Sequence, residues 1–225
     1  AAQRRMEEGW RERLGKELRE ILALIPESRS HSKAIDEIAS HDWGWEAKYG
    51  PTVVAELASA FEAAALEMFP EMSIPLVQLR GAEWARERGA TLLRLDGDQS
   101  LVKLTQQRVN DLVAGTLERG DSLRTLRSNL TSDLAFSPMR AERVARTETS
   151  FALGQGHKSA AVAQGHNEKR AFTQGDSLVR PEHSSNAAQG WIGVNESFQS
   201  GHETIPFGVN CRCNVIYRTR PPEVE

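Results

Sequence analysis

The residue types able to do chemistry gather near the end of the chain: Asp176, Arg180, His183, His202, Asn210, Cys211, Arg212 and Cys213. Cys211 and Cys213 are the whole supply of cysteine. A bond between them would close a very small, strained ring. A disulfide framework is therefore excluded, and a reducing compartment is the expectation. If the backbone from 211 to 217 is extended, the two thiols point to the same face, because side chains alternate along a strand. Both sulfurs would then reach one soft cation such as zinc, which takes thiolate and imidazole ligands and prefers four of them. His183 or His202 is the candidate third ligand, and Asp176 or the other histidine the fourth. Coordination would also order a glycine-rich loop by closing it. The plainer alternative makes the cysteines small buried apolar side chains and His183 a hydrogen-bonded loop residue.

Other chemistry is less well supplied. Asp176 and His183 form a candidate acid–base pair. With the thiolates around an open metal position they would make a metal-dependent hydrolase or nuclease. No Ser or Cys stands beside a partner His in a recognisable nucleophile arrangement. Gly154-Gln-Gly156 is only a fragment of a phosphate-cradling loop. Arg140, Arg143 and Arg146 recur every third residue, with Arg127 not far upstream. The stripe reads either as a solvated helix face or as a contact for phosphate, with Arg127, Arg140 and Arg143 the candidates.

The elements that must position these residues are mostly helical. Trp10, Leu14, Leu18, Ile21, Leu22 and Ile25 recur at spacings of three and four, so residues 3–25 read as a helix that Pro26 ends. A short helix over 33–40 puts Ile35 and Ile38 inward. His41 to Trp45 reads as a connection, with Trp43 and Trp45 better buried in the protein's own core than shown to a partner. Pro51 suits the first turn of a helix over 52–69, which Pro70 and Pro75 break. Residues 80–88 are helical, with Gly89 a stop. Leu92, Leu93 and Leu95 before Asp96-Gly-Asp98 suggest a short strand and turn. Residues 100–119 form a helix with Leu101, Leu104, Val109, Leu112, Val113 and Leu117 inward. Gly120 closes it, and Asp121 or Ser122 caps a following helix that packs through Leu123, Leu126, Leu130 and Leu134. Ser137-Pro138 opens a long helix reaching about Gly165.

Beyond it, Gly, Ser, Asn and Pro dominate. Strand candidates are 170–173 and 215–217, with a loop-rich stretch over 174–210 between them. The fold class is therefore α+β: a mostly helical N-terminal two-thirds and a small loop-rich C-terminal module with a few short strands. The organisation expected is a helical docking region over 1–99, a module over 100–220 and a tail over 221–225.

Composition narrows the function classes. In 225 residues, 28 Lys and Arg face 31 Asp and Glu, a net charge of −3. That excludes a globally basic nucleic-acid binder. Residues 138–220 are the exception, with 10 basic against 7 acidic side chains, or +3. No apolar run is long enough to span a bilayer, and no secretory signal is visible. The chain opens on Ala1 and not on methionine, so loss of an upstream piece is expected.

The motif order then resembles a known family. Ala141-Glu-Arg-Val-Ala-Arg146-Thr147-Glu148-Thr149 comes first, followed by Gly154 and Gly156, Thr173-Gln-Gly-Asp176, Arg180 and His183. Asn210-Cys211-Arg212-Cys213, leading into Asn-Val-Ile, closes the series. Over about residues 100–218 this is similar to the Mu F-like head-morphogenesis proteins, minor head proteins of tailed bacteriophages. Arg170-Ala-Phe172 stands where the family often has a Lys-Trp pair. The resemblance implies a non-enzymatic virion protein, present in the inner head or at the portal vertex, and in host cytoplasm during assembly. It implies the portal protein, the major capsid protein or both as partners, a role in head assembly and DNA packaging or delivery, and non-specific contact with double-stranded DNA. It implies no membrane and no small-molecule substrate. Arg146, Thr147, Glu148, Thr173, Asp176, Arg180, Asn210 and Arg212 would form a polar network holding the C-terminal module together. Asp176, His183, His202, Cys211 and Cys213 would be candidate ligands of a structural zinc.

Overall fold

The computed structural model describes residues 1–25, 30–97 and 99–220. Pro26, Asp98 and the 221–225 tail lie outside the described residues. Helices come first: α1 (Ala2–Ala23), α2 (His31–Ala39), α3 (Trp45–Met68), α4 (Ile74–Leu93), α5 (Leu101–Glu118), α6 (Leu123–Ser132) and α7 (Pro138–Ala163). Then follow β1 (Glu168–Phe172), α8 (Pro181–Ala188), β2 (Ile192–Gly193) and β3 (Asn214–Arg218). The protein is α+β and mostly helical, with one small antiparallel sheet.

Several helices start where side-chain caps predict. Ser30, Ser100 and Ser122 each accept the N–H three residues on, at Lys33, Lys103 and Thr125. That satisfies one of the donors left orphaned at a helix start. Gly120 adopts φ +67°, the left-handed geometry glycine supplies after a helix end.

Other elements depart from the periodicity. The third helix begins at Trp45 and not at 52, with Pro51 inside it. The Gly44 N–H bonds Asp42 Oδ1 at 2.8 Å, and the Trp45 N–H bonds the Trp43 carbonyl at 2.7 Å, a tight turn that launches the helix early. Trp43 and Trp45 are both buried. Pro75 is the second residue of α4 and no breaker, as a missing N–H is harmless in a first turn. Gly89 lies inside α4, and a methyl there would come 2.9 Å from Val54 Cγ2, so this glycine serves close packing and not termination. The strand expected at 92–95 is absent, because Leu92 and Leu93 belong to the buried face of α4. On α5 the buried face is Val102, Thr105, Val109, Val113 and Thr116, while Leu104 and Leu117 are exposed. Thr105 and Thr116 can sit inside because their hydroxyls bond the Leu101 and Leu112 carbonyls. Leu134 is exposed too.

The described residues group into two compact units. One gathers 1, 3–54 and 86–145; the other gathers 2, 55–85 and 146–225. The second holds the sheet, in the order β2-β1-β3. Lys169 faces Tyr217, and Ala171 faces Val215, across the β1–β3 pair. Ala171, Phe198, Ile205, Phe207 and Val215 form its core, with Cys211 and Cys213 packed at the margin. The stretch read as loop contains α8. Pro181 starts that helix, and buried His183 and Asn186 are its inward face.

Candidate functional site

The site is built from two segments of the second unit. His183 sits in the first turn of α8, where Pro181 fixes the entry. Cys211 and Cys213 follow a turn in which Asn210 takes φ 57°. Asparagine is among the few residues that adopt this conformation readily. The Cys211 N–H then bonds the Gly208 carbonyl at 3.2 Å. The thiols are not yet on a strand, since β3 begins at Asn214.

His183 Nδ1 nevertheless lies 3.4 Å from Cys213 Sγ and 3.9 Å from Cys211 Sγ. The three candidate ligand atoms are all within 4.8 Å of one another. The Cys213 N–H points at Cys211 Sγ, at 3.4 Å. Burial, with the Arg180 cation helping, holds the His183 imidazole below its ordinary pKa. Its Nε2 is buried with no close hydrogen-bond partner among the described residues, and the nearby Phe207 backbone favours a proton on the ring. Burial, together with the neighbouring Cys211, pushes the Cys213 thiol up to about 12. A cleft of about 320 Å³ opens beside these atoms, with Arg146, Arg180 and Arg212 on its wall.

Two of the five residues expected around a zinc do not join this group. Asp176 is held by Arg212 through both guanidinium nitrogens, at 2.7 and 2.8 Å, and accepts the Leu178 N–H at 3.0 Å. That pairing holds its carboxyl below the usual range. His202 turns its Nδ1 to Ser200 Oγ at 3.0 Å and lays its ring near Phe207.

The polar network has definite contacts. Arg180 Nη2 donates to the Val209 carbonyl at 2.9 Å, and Gln174 Nε2 to the Arg212 carbonyl at 3.1 Å. Glu148 is buried and Thr173 half-buried. Thr147 Oγ1 is buried with no hydrogen-bond partner among the described residues. The phosphate candidates have structural employment in the first unit. Arg127 Nη1 donates to the Leu22 and Ile25 carbonyls at the end of α1, at 2.5 and 2.8 Å. Arg140 donates to Thr105 Oγ1 and to the Ala135 and Leu101 carbonyls, and burial pulls it down to about 10. Arg143 is exposed.

Three features escaped the sequence reading. Lys169 on β1 is fully buried, its ammonium on the Glu203 carbonyl. Asn186 exchanges two bonds with Ser200, clamping α8 to the loop before β3. In the first unit, buried Glu17 accepts from Tyr49 Oη at 2.7 Å and meets His41 Nε2 at 2.9 Å. A signal existed for Glu17. It stands among Trp10, Leu14 and Ile21 at the spacing of an inward face.

Comparison with known families finds a similarity to a bacteriophage protein family. Residues 107–216, just under half of the chain, match the family described as Phage Mu protein F like protein. No curated protein and no solved structure matches the chain. No helix among the described residues is long and apolar enough to cross a membrane.

Proposed function

We propose that the protein is a non-enzymatic minor component of a tailed-phage head, bound at the portal vertex or on the inner capsid, acting in assembly and in DNA packaging or delivery. The Mu F-like match over 107–216 carries this reading. The state of the motif residues supports it. Asp176 is committed to Arg212 and to a backbone N–H, which suits a fastening and not a reacting group. Partners are the portal protein, the major capsid protein or both, with residues 1–99 supplying docking surface. Duplex DNA contact has weaker support, since Arg127 and Arg140 direct their donors to carbonyls of the chain itself.

The hydrolase alternative needs Asp176 beside the sulfurs, and its carboxylate lies outside that group. The test is fractionation of purified particles and of portal complexes. The reading expects the chain in heads at low copy, or with portal before filling. Absence from both overturns it. Metal-dependent cleavage of duplex DNA by the purified chain, abolished by His183→Ala, would favour the enzyme.

A further inference from the structure

We infer that His183, Cys211 and Cys213 form a three-ligand site for one zinc-class divalent cation, tying α8 to the chain segment that enters β3. The geometry carries the argument. In a tetrahedral zinc centre, Zn–S near 2.3 Å and Zn–N near 2.05 Å give a sulfur-to-nitrogen edge of about 3.6 Å. The two sulfurs stand 3.4 and 3.9 Å from the same nitrogen of His183. These separations bracket that edge, and all three ligand atoms lie within 4.8 Å of one another, so side-chain adjustment brings them around one cation. The donor set is soft, two sulfurs and an imidazole, which selects zinc over magnesium or calcium.

The frame around the ligands fits the same role. Both segments are held independently of any ion. Arg180, at the N-terminal end of α8, bonds the Val209 carbonyl, and the Arg212 backbone between the two cysteines accepts from Gln174. The Cys213 N–H aimed at Cys211 Sγ is the kind of contact that stabilises a metal-bound thiolate. Arg180 and Arg212 line the same cleft, and their positive charge favours the deprotonated sulfurs that binding a cation requires. Neither Asp176 nor His202 belongs to the cluster. Three protein ligands then leave one of the four tetrahedral positions to solvent.

The site does not rest on the head-protein reading, so either can fail without the other. The test is elemental analysis of the full chain purified under reductant with zinc in the medium, followed by replacement with cobalt. One metal per chain is expected, with thiolate-to-cobalt charge-transfer absorption and strong tetrahedral visible bands. Cys211→Ser, Cys213→Ser and His183→Ala should each lower zinc affinity at least tenfold, while Asp176→Asn and His202→Ala keep the stoichiometry. Circular dichroism should show the helices retained in every variant. A folded wild-type chain without metal overturns the proposal. So does metal that survives all three ligand substitutions, or that is lost equally from the Asp176 and His202 variants.

Discussion

The ammonium of Lys169 ends on the backbone carbonyl of Glu203, at 2.6 Å, and not on that residue's carboxylate, which Lys158 holds. Lys169 is fully buried, with its Nζ 5.0 Å from the centre of the Phe198 ring. One cation is therefore shared between a peptide dipole and an aromatic face, with no carboxylate of the described residues in direct contact. Burial, with Lys158 adding to it, pulls Lys169 down to about 8 from its ordinary 10.5.

A pH dependence follows from this. Between about 8 and 10.5 the unfolded chain keeps the Lys169 proton more fully than the folded one. The folded state is then favoured as protons are withdrawn, and stability from this residue rises with pH. Urea unfolding of wild type and Lys169→Met at pH 7.5 and pH 10 checks it. The difference between the two proteins should move in favour of wild type at the higher pH. Taking the difference removes the opposing contribution of Cys213, whose thiol is pushed up to about 12.

Glu17 predicts the same sign in acid, where its contribution to stability also rises with pH. Burial alone would raise its pKa, but the contacts with His41 and Tyr49 and the charge of Lys48 outweigh burial and leave it below the ordinary 4.5. Its contribution is present above that ordinary value and is lost as pH falls through the lower folded one. Glu17→Ala strands the Tyr49 hydroxyl and should lower the unfolding free energy by about 3–5 kcal/mol near neutral pH. Glu17→Gln should lose less, and its deficit against wild type should shrink as pH falls below 4.5. Chemical denaturation from pH 3 to pH 7 reads both.

Two helix glycines predict a steric penalty, and a third predicts a gain. A methyl on Gly154 would run into the Ile205 carbonyl, and one on Gly156 would lie 2.5 Å from the Phe61 carbonyl. Backbone cannot retreat as a flexible side chain can. Gly154→Ala and Gly156→Ala should each destabilise by about 1–3 kcal/mol or more. Gly15, inside α1, would bring such a methyl no closer than 3.4 Å to anything, and there only to the flexible end of Arg19. Gly15→Ala should stabilise by roughly 0.5–1 kcal/mol, because alanine gives up less chain entropy in a helix. Thermal unfolding of the three variants distinguishes the signs.

Much was legible in one dimension. Apolar spacing located α1, α5, α6 and α7, Ser-Pro marked the start of α7, and β-branched and aromatic runs marked β1 and β3. The motif order pointed to the family that residues 107–216 match. Each of these signals lies within about one element's length, where helix and strand periods govern which residues share a face. Early α3 and the continuous α4 were misread for a related reason. Pro51, Pro75 and Gly89 have strong local meanings, and each was set aside by the packing around it.

Tertiary structure alone decided which chemical groups meet. His183 is 28 and 30 residues from the two cysteines, and no period spans that gap. Their convergence depends on α8 packing over the sheet core and on the Asn210 turn that follows Phe207. The same packing turned Asp176 to Arg212 and His202 to Ser200, so five candidate ligands became three. Packing within the first unit gave Arg127 and Arg140 carbonyls to satisfy, because a buried or half-buried backbone oxygen without a partner is costly. Residue types set which chemistry the chain can do; the folded path of the backbone set which of those residues are near enough to do it.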